Sequence, residues 1–232
     1  MLQEDQDRNM LTDSEIEDIF HQIEPLTMTS RERVEALVRA VEYLAENDIA
    51  GDFVECGVWK GGSIFAMMLT LQRFNDRSRR IWAYDTFAGM TAPAALDISI
   101  YGESAAETYS EHTTKGQPWF AVSRATVEKN IAQSGYPMQN VRLVEGDIQT
   151  TLRRDVPSSI ALLRLDTDWY DSTLLELQIL YPRLVQGGVM IIDDYGHWKG
   201  AKRAVDEYFS KRTHRPLLQR IDYTGRLVLK CA

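Results

Sequence analysis

Short apolar runs alternate with amphipathic helical patterns along most of this chain, and no other feature narrows the fold as far. The runs read as strands at Asp52–Cys56, Arg80–Tyr84, Val141–Glu145, Ile160–Leu165, Val189–Ile192 and Arg226–Lys230. Helical spacing fills gaps at Ser63–Phe74, Ser123–Ser134, Thr173–Tyr181 and Ala201–Lys211, the last with Ala201, Ala204, Val205, Tyr208 and Phe209 on one face. Ahead of the first strand, Val34, Leu37, Val38, Val41 and Leu44 recur at three and four residues and predict a helix from Ser30. Strands this apolar are covered on both faces, so the expected fold is α/β with a mostly parallel sheet between helical layers.

Two segments fall outside the alternation. Residues 1–29 are polar and acidic and read as a loose N-terminal arm with one short helix near Ser14–Gln22, leaving 30–232 as the main domain. Phe87–Phe120 is rich in Ala, Gly, Ser, Thr and Glu with weak periodicity. A structureless insert of that length in a compact domain reads as a lid or substrate loop.

Composition excludes several classes of function. A chain of 232 residues that is 44% hydrophobic and 26% charged can bury one core and is neither disordered nor fibrous. Its net charge of −8 argues against a nucleic-acid partner, whose binding rests on Lys and Arg. The basic run Arg77, Arg79 and Arg80 reads as a solvated turn. No apolar stretch reaches the roughly 18 residues of a membrane span, and the N-terminus lacks the order of a signal peptide. Cys56 and Cys231 match no disulfide or zinc framework, and Cys56 reads as a small buried hydrophobe. A cytoplasmic protein without a membrane partner is expected.

The acids carry the chemistry. Glu55 ends the first strand, Asp85 follows the second, Asp147 the third, Asp166 the fourth, and Asp193 with Asp194 the fifth. In an open parallel sheet those ends share one edge, where ligands bind at the switch in strand order. A single Asp there is an ordinary helix cap; acids after five consecutive strands point to a site.

The first turn, Phe53-Val-Glu-Cys-Gly-Val-Trp-Lys-Gly-Gly-Ser63, permits close backbone approach before a helix capped near Ser63. Its spacing is neither the dinucleotide fingerprint nor a P-loop. Glu55 would repel a pyrophosphate and attract an ammonium and a sulfonium, the charges of S-adenosylmethionine (SAM). Asp85, 28 residues after Gly57, is positioned to accept both ribose hydroxyls, and Asp147, next to Ile148, to meet the adenine amino group. Asp166, Asp193 and Asp194 would repel one another unless a cation sat among them, and oxygen-only donors suit Mg²⁺. The alternative is that one of them caps a helix beside an empty site.

Four stretches together resemble the macrocin O-methyltransferase family: Gly51–Ser63, Tyr84-Asp-Thr-Phe-Ala-Gly-Met90, Leu165-Asp-Thr-Asp-Trp-Tyr170 and Ile192-Asp-Asp-Tyr-Gly196. The likeness runs from about Met28 to Phe209. It implies a class I methyltransferase (Rossmann-like) three-layer sandwich with a mostly parallel seven-stranded sheet. It implies a SAM- and Mg²⁺-dependent enzyme methylating a hydroxyl, typically a sugar hydroxyl of a glycosylated natural product, and a homodimer. By motif it implies Asp166, Asp193 and Asp194 as metal ligands and Asp168 as general base. Glu55, Gly57, Ser63, Asp85, Asp147 and Ile148 would surround SAM.

The metal arrangement is also similar to that of catechol O-methyltransferases, which keeps a catechol or phenol acceptor as the alternative. A nicotinamide-dependent oxidoreductase would need phosphate-cradling glycines that the turn lacks, and a non-catalytic SAM-binding protein has no use for Asp168. Strand alternation would turn Asp166 and Asp168 to the same side. His197 reads as an alternative base or as a loop histidine with a backbone partner. Trp59, Trp169 and Trp198 read as pocket walls or as plain packing.

Overall fold

The computed structural model describes residues 10–231. Its strands are β1 Asp52–Cys56, β2 Ile81–Asp85, β3 Val141–Glu145, β4 Ile160–Leu165, β5 Leu184–Ile192, β6 Gln219–Arg220 and β7 Arg226–Leu229. They form one sheet in the order β3-β2-β1-β4-β5-β7-β6. The first five are parallel, and β7 runs antiparallel to both β5 and β6. The helices are α1 Asp13–Ile23, α2 Arg31–Glu46, α3 Gly62–Arg73, α4 Ala105–Thr114, α5 Arg124–Ala132, α6 Ile148–Thr151, α7 Tyr170–Ile179 and α8 Lys199–Ser210. Among the described residues no helix is long and apolar enough to cross a membrane.

The two-residue repeat of a strand divides the core between the sheet's faces. Phe53, Ala83, Leu162 and Ile191 join one cluster with the apolar sides of α1, α2, α3 and α5. Val54, Tyr84, Leu163 and Ile192, each one residue on, join a second cluster with α7 and α8. The result is the three-layer sandwich the alternation predicts. β5 starts five residues earlier than its apolar run, because Leu184–Gly188 pairs with β4 and β7 through backbone groups that hydropathy does not register. β6 has two polar, exposed residues and carries no sequence signal.

Two expectations are corrected. The arm is not loose from Leu11 onward: Ile16, Ile19 and Ile23 are buried in the first cluster. Its helix begins with a capping box in which the Thr12 hydroxyl accepts from the Glu15 backbone and Glu15 reaches back to Thr12. The first nine residues of the arm, and Ala232, lie outside the described residues.

The insert at 87–120 is not structureless either. It contains α4, which periodicity misses because only Ala105 of that helix is buried. Its anchor is Asp97, 1% exposed, whose Oδ1 accepts from the Tyr170 amide at 2.9 Å and whose Oδ2 accepts from the Ala94 amide at 2.7 Å. A Cβ on Gly200 would overlap that carboxylate, so the start of α8 admits only glycine there. Backbone bonds from Ile100 to His197 and from Lys199 to Ile98 fasten the insert beside the β5–α8 turn.

If α1 is part of the core, Ile23→Ala should lower the unfolding free energy by about 2–4 kcal/mol, the cost of a large-to-small change at a fully buried site. Urea unfolding with a loss below about 0.5 kcal/mol would show that the helix contributes no packing.

Candidate active site

The carboxyl ends of β1, β2, β4 and β5 open onto one cavity of about 440 Å³. Gly57 makes the convergence possible. It has φ +85°, and a Cβ there would collide with the Asp166 carbonyl, so the turn leaving β1 can pass this close to β4 only as glycine. Gly61, with φ +92°, caps α3 in place of Ser63. Ser63 lies in the first turn of that helix, buried and lining the cavity, as Ile148 does from α6.

Glu55 lines the same cavity and is 1% exposed. Its Oε1 accepts from Arg164 at 2.7 Å, while Oε2 is buried without a partner. Burial pushes its carboxyl up to about 8 against the pull of Arg164. Asp85 also lines the cavity, but its carboxylate is largely spent on the backbone. It accepts from the amides of Val58 at 2.7 Å, Trp59 at 3.1 Å and Phe87 at 2.7 Å. The Thr86 hydroxyl lies 3.4 Å from its Oδ1 as a fourth, weaker contact, so with about four lone-pair positions on a carboxylate a ribose hydroxyl has room only in place of Thr86, against the two hydroxyls expected from the sequence. Asp147 lines a neighbouring cavity instead. Its side chain accepts from the Gln149 amide at 2.8 Å, because the start of α6 requires a cap.

Asp166, Asp193 and Asp194 each offer an oxygen within 4.8 Å of the others. Two arginines that sequence reasoning missed reach into this group. Arg164, 2% exposed, donates to Asp166 and Asp193 at 2.6 Å each and to the Thr29 hydroxyl at 3.0 Å. Its signal was a single charge within the otherwise apolar run Ile160–Leu165. Arg33, on α2, pairs with Asp193 and at 3.0 Å with Asp222. In sequence it is an ordinary polar position of an amphipathic helix.

The two guanidiniums pair with Glu55, Asp166, Asp193 and Asp222, while Asp168 and Asp194 line the same cavity without an ion pair to either arginine. Burial pushes the Asp193 carboxyl up to about 6, although Arg164 opposes it. Burial and the nearby Asp168 and Asp166 hold Asp194 well above the carboxylate range. A set of oxygen donors with surplus negative charge fits a hard divalent cation.

Asp168 departs from its expected position. β4 ends at Leu165, so strand alternation no longer applies; Asp168 sits in the following turn with φ +67°, a conformation uncommon for a non-glycine residue. The Trp198 indole N–H donates to its Oδ1 at 2.7 Å. Burial and the neighbouring Asp166 push its carboxyl up to about 7. His197 lines the cavity with its Nδ1 3.3 Å from the Tyr223 hydroxyl, and burial lowers its pKa. Trp59 and Trp198 line the cavity. Trp169 is buried beside the neighbouring one, donating to the Thr91 carbonyl at 3.0 Å.

The profile of the macrocin-O-methyltransferase (TylF) family matches residues 13–230. The demethyldecarbamoylnovobiocin O-methyltransferase of Streptomyces niveus is 34% identical over 185 residues, 80% of this chain and 68% of that protein. The 8-demethyl-8-(2,3-dimethoxy-alpha-L-rhamnosyl)-tetracenomycin-C 4'-O-methyltransferase of Streptomyces olivaceus is 34% identical over 199 residues, 86% of this chain and 73% of that one. The solved structure of the O-methyltransferase NovP superposes with a TM-score of 0.77 at 32% identity, covering 89% of this chain and 83% of its own.

The raised carboxyls have a consequence for stability. Glu55 and Asp168 hold protons near neutral pH that an unfolded chain has already released. The native state therefore binds more protons than the unfolded one, and stability falls as pH rises through about 7 and 8. His197, lowered by burial, acts the other way only below its ordinary value of 6.5. In metal-free buffer the thermal midpoint is expected to drop between about pH 6.5 and 8.5. A midpoint that rises across that window would contradict an uncompensated acidic cluster.

Proposed function

The chain belongs to the macrocin O-methyltransferase family and is a SAM-dependent O-methyltransferase, and from that premise we propose that it methylates a sugar hydroxyl of a glycosylated natural product with the help of Mg²⁺. The observation that carries this reading is a single cavity holding the Asp166–Asp193–Asp194 triad together with Asp168.

Asp166, Asp193 and Asp194 would hold the cation through one oxygen each. Bound there, Mg²⁺ would supply Lewis-acid stabilisation of the negative charge that develops on the acceptor oxygen. Asp168 takes the hydroxyl proton as the methyl group transfers, since an aliphatic alcohol does not ionise near neutral pH. A carboxyl near 7 is matched to that task, and the Trp198 indole N–H fixes its direction. The unpartnered Glu55 Oε2 is the natural acceptor for the SAM ammonium, and Asp85 would take one ribose hydroxyl in place of its weak contact from the Thr86 hydroxyl. Gly57, Ser63 and Ile148 give the SAM side of the cavity its shape. Holding donor carbon and acceptor oxygen in line removes much of the remaining barrier. Support for a sugar acceptor comes from the Streptomyces olivaceus relative, whose name specifies a rhamnosyl-bearing substrate.

Asp168→Asn should keep SAM binding while lowering kcat by about 10²–10⁴-fold, the usual contribution of a positioned base. With a sugar acceptor, raising the pH to about 9 should restore little, because the hydroxyl stays protonated. Strong recovery would indicate a phenol or catechol instead. A variant within threefold of the parent rate would remove Asp168 as the base and favour His197.

A further inference from the structure

Behind the cavity wall lies a buried acid that the methyl transfer does not use. Glu176, in α7, is fully buried and does not line the cavity. Its Oε1 accepts from the Thr167 hydroxyl at 2.8 Å, and its Oε2 is buried without a partner, so no cation faces it. Burial holds its carboxyl well above the ordinary range against the pull of the Thr167 bond, and the nearby Asp166 and Asp168 add to the rise. Glu176 is therefore a neutral acid. It does little for the fold. Its neighbours Leu175 and Leu177 pack in the second cluster, and an apolar side chain here would fill the space without leaving a buried polar atom unpaired.

The bond of Glu176 reaches the residue that separates Asp166 from Asp168. Thr167 lies just past the end of β4 and lines the cavity. Asp168 follows it at φ +67°, and such a conformation persists only where its surroundings fix it. The fixing contacts can be named. The Asp168 amide donates to Asp194 Oδ2 at 3.2 Å, and the Trp198 indole donates to Asp168 Oδ1. The Thr167 carbonyl accepts from the Trp169 amide at 2.7 Å and from Ser172 Oγ at 3.3 Å, where α7 begins. Glu176, further along that helix, takes the Thr167 hydroxyl. Thus α7 grips Thr167 by backbone and side chain, and Asp166 and Asp168 are carried on either side of that grip.

Resting on the reading of Asp168 as the base, we propose that Glu176 is a positioning residue, which through its bond to the Thr167 hydroxyl holds Asp166 and Asp168 in place before any substrate arrives. It touches no reacting atom and acts through Thr167 alone. An uncharged amide of the same shape serves as well, because the bond needs an oxygen acceptor and no charge. What the fold loses by burying Oε2 without a partner, the site gains in preorganisation.

The test reads the Trp198 indole N–H, which reports the position of Asp168 without any acceptor. Its resonance is assigned in nitrogen–proton correlation spectra of the full chain by its absence from Trp198→Phe. In Glu176→Gln it should stay at the parent's position. In the Thr167→Val, Glu176→Leu double variant, which leaves no orphaned hydroxyl, it should move and exchange with water about fivefold faster, the scale of one intramolecular hydrogen bond. Calorimetric Mg²⁺ affinity should weaken by the same factor, while the thermal midpoint stays at or above the parent's. An indole resonance and exchange rate unchanged in the double variant would overturn the proposal. So would an equal loss in Glu176→Gln, or a midpoint lowered by more than about 4 °C, which would mark a packing role. If the double variant does not fold, Thr167→Val alone removes the same bond and is read in the same way. Failure of the parent to bind Mg²⁺ would instead overturn the metal site, and the indole would still decide the role of Glu176.

Discussion

Arg164 enters the sheet where its strand neighbours are apolar, and its guanidinium gathers Glu55 from β1, Asp193 from the end of β5, and Asp166 just past its own strand. Through the Thr29 hydroxyl it also fastens the segment that precedes α2. A buried charge of this kind is tolerated only when its partners are held by good geometry, and removing one side leaves the other uncompensated. The network therefore couples three strands and the N-terminal helices to the floor of the cavity. Arg33 extends it by joining Asp193 to Asp222, which in turn accepts from the Ser30 hydroxyl that caps α2.

The network balances only part of the charge it gathers. Two guanidiniums pair with Glu55, Asp166, Asp193 and Asp222, Asp168 and Asp194 add two more acids to the same cavity, and burial denies these groups solvation by water. Burial, with repulsion from Asp166 as a smaller contribution, accounts for the raised carboxyls of Glu55, Asp168 and Asp193. Among the residues lining the cavity, Asp193, Asp194 and Trp198 are buried and Phe120 and Tyr223 are exposed.

Much of this was legible in the sequence because it follows from periodicity and strand ends. Phe53 and Val54 face opposite layers as a strand requires, and the acids after β1, β2, β4 and β5 reach one cavity because parallel strands share an edge. What escaped depended on contacts between distant residues. Arg33 and Arg164 acquire their roles only when α2 and β4 meet Asp193. Asp168 is aimed by a left-handed turn and an indole 30 residues away, which no alternation rule encodes. Asp147 was taken from the cavity by its duty as a helix cap, a competing use of the same residue type. The short helix of the arm was legible near Ser14–Gln22 and forms as α1, but its packing was not, because three isoleucines in a mostly polar stretch do not show which core they join. The insert was misread because α4 buries a single alanine.

The proposed function requires Asp166, Asp193 and Asp194, at the ends of β4 and β5, to bind one divalent cation. Calorimetric titration of the metal-free protein with Mg²⁺ measures it without any acceptor. One site is expected in the parent, lost in Asp194→Asn, which keeps the shape of the side chain while removing its charge. No Mg²⁺ binding by the parent, or undiminished binding by Asp194→Asn, would contradict the account.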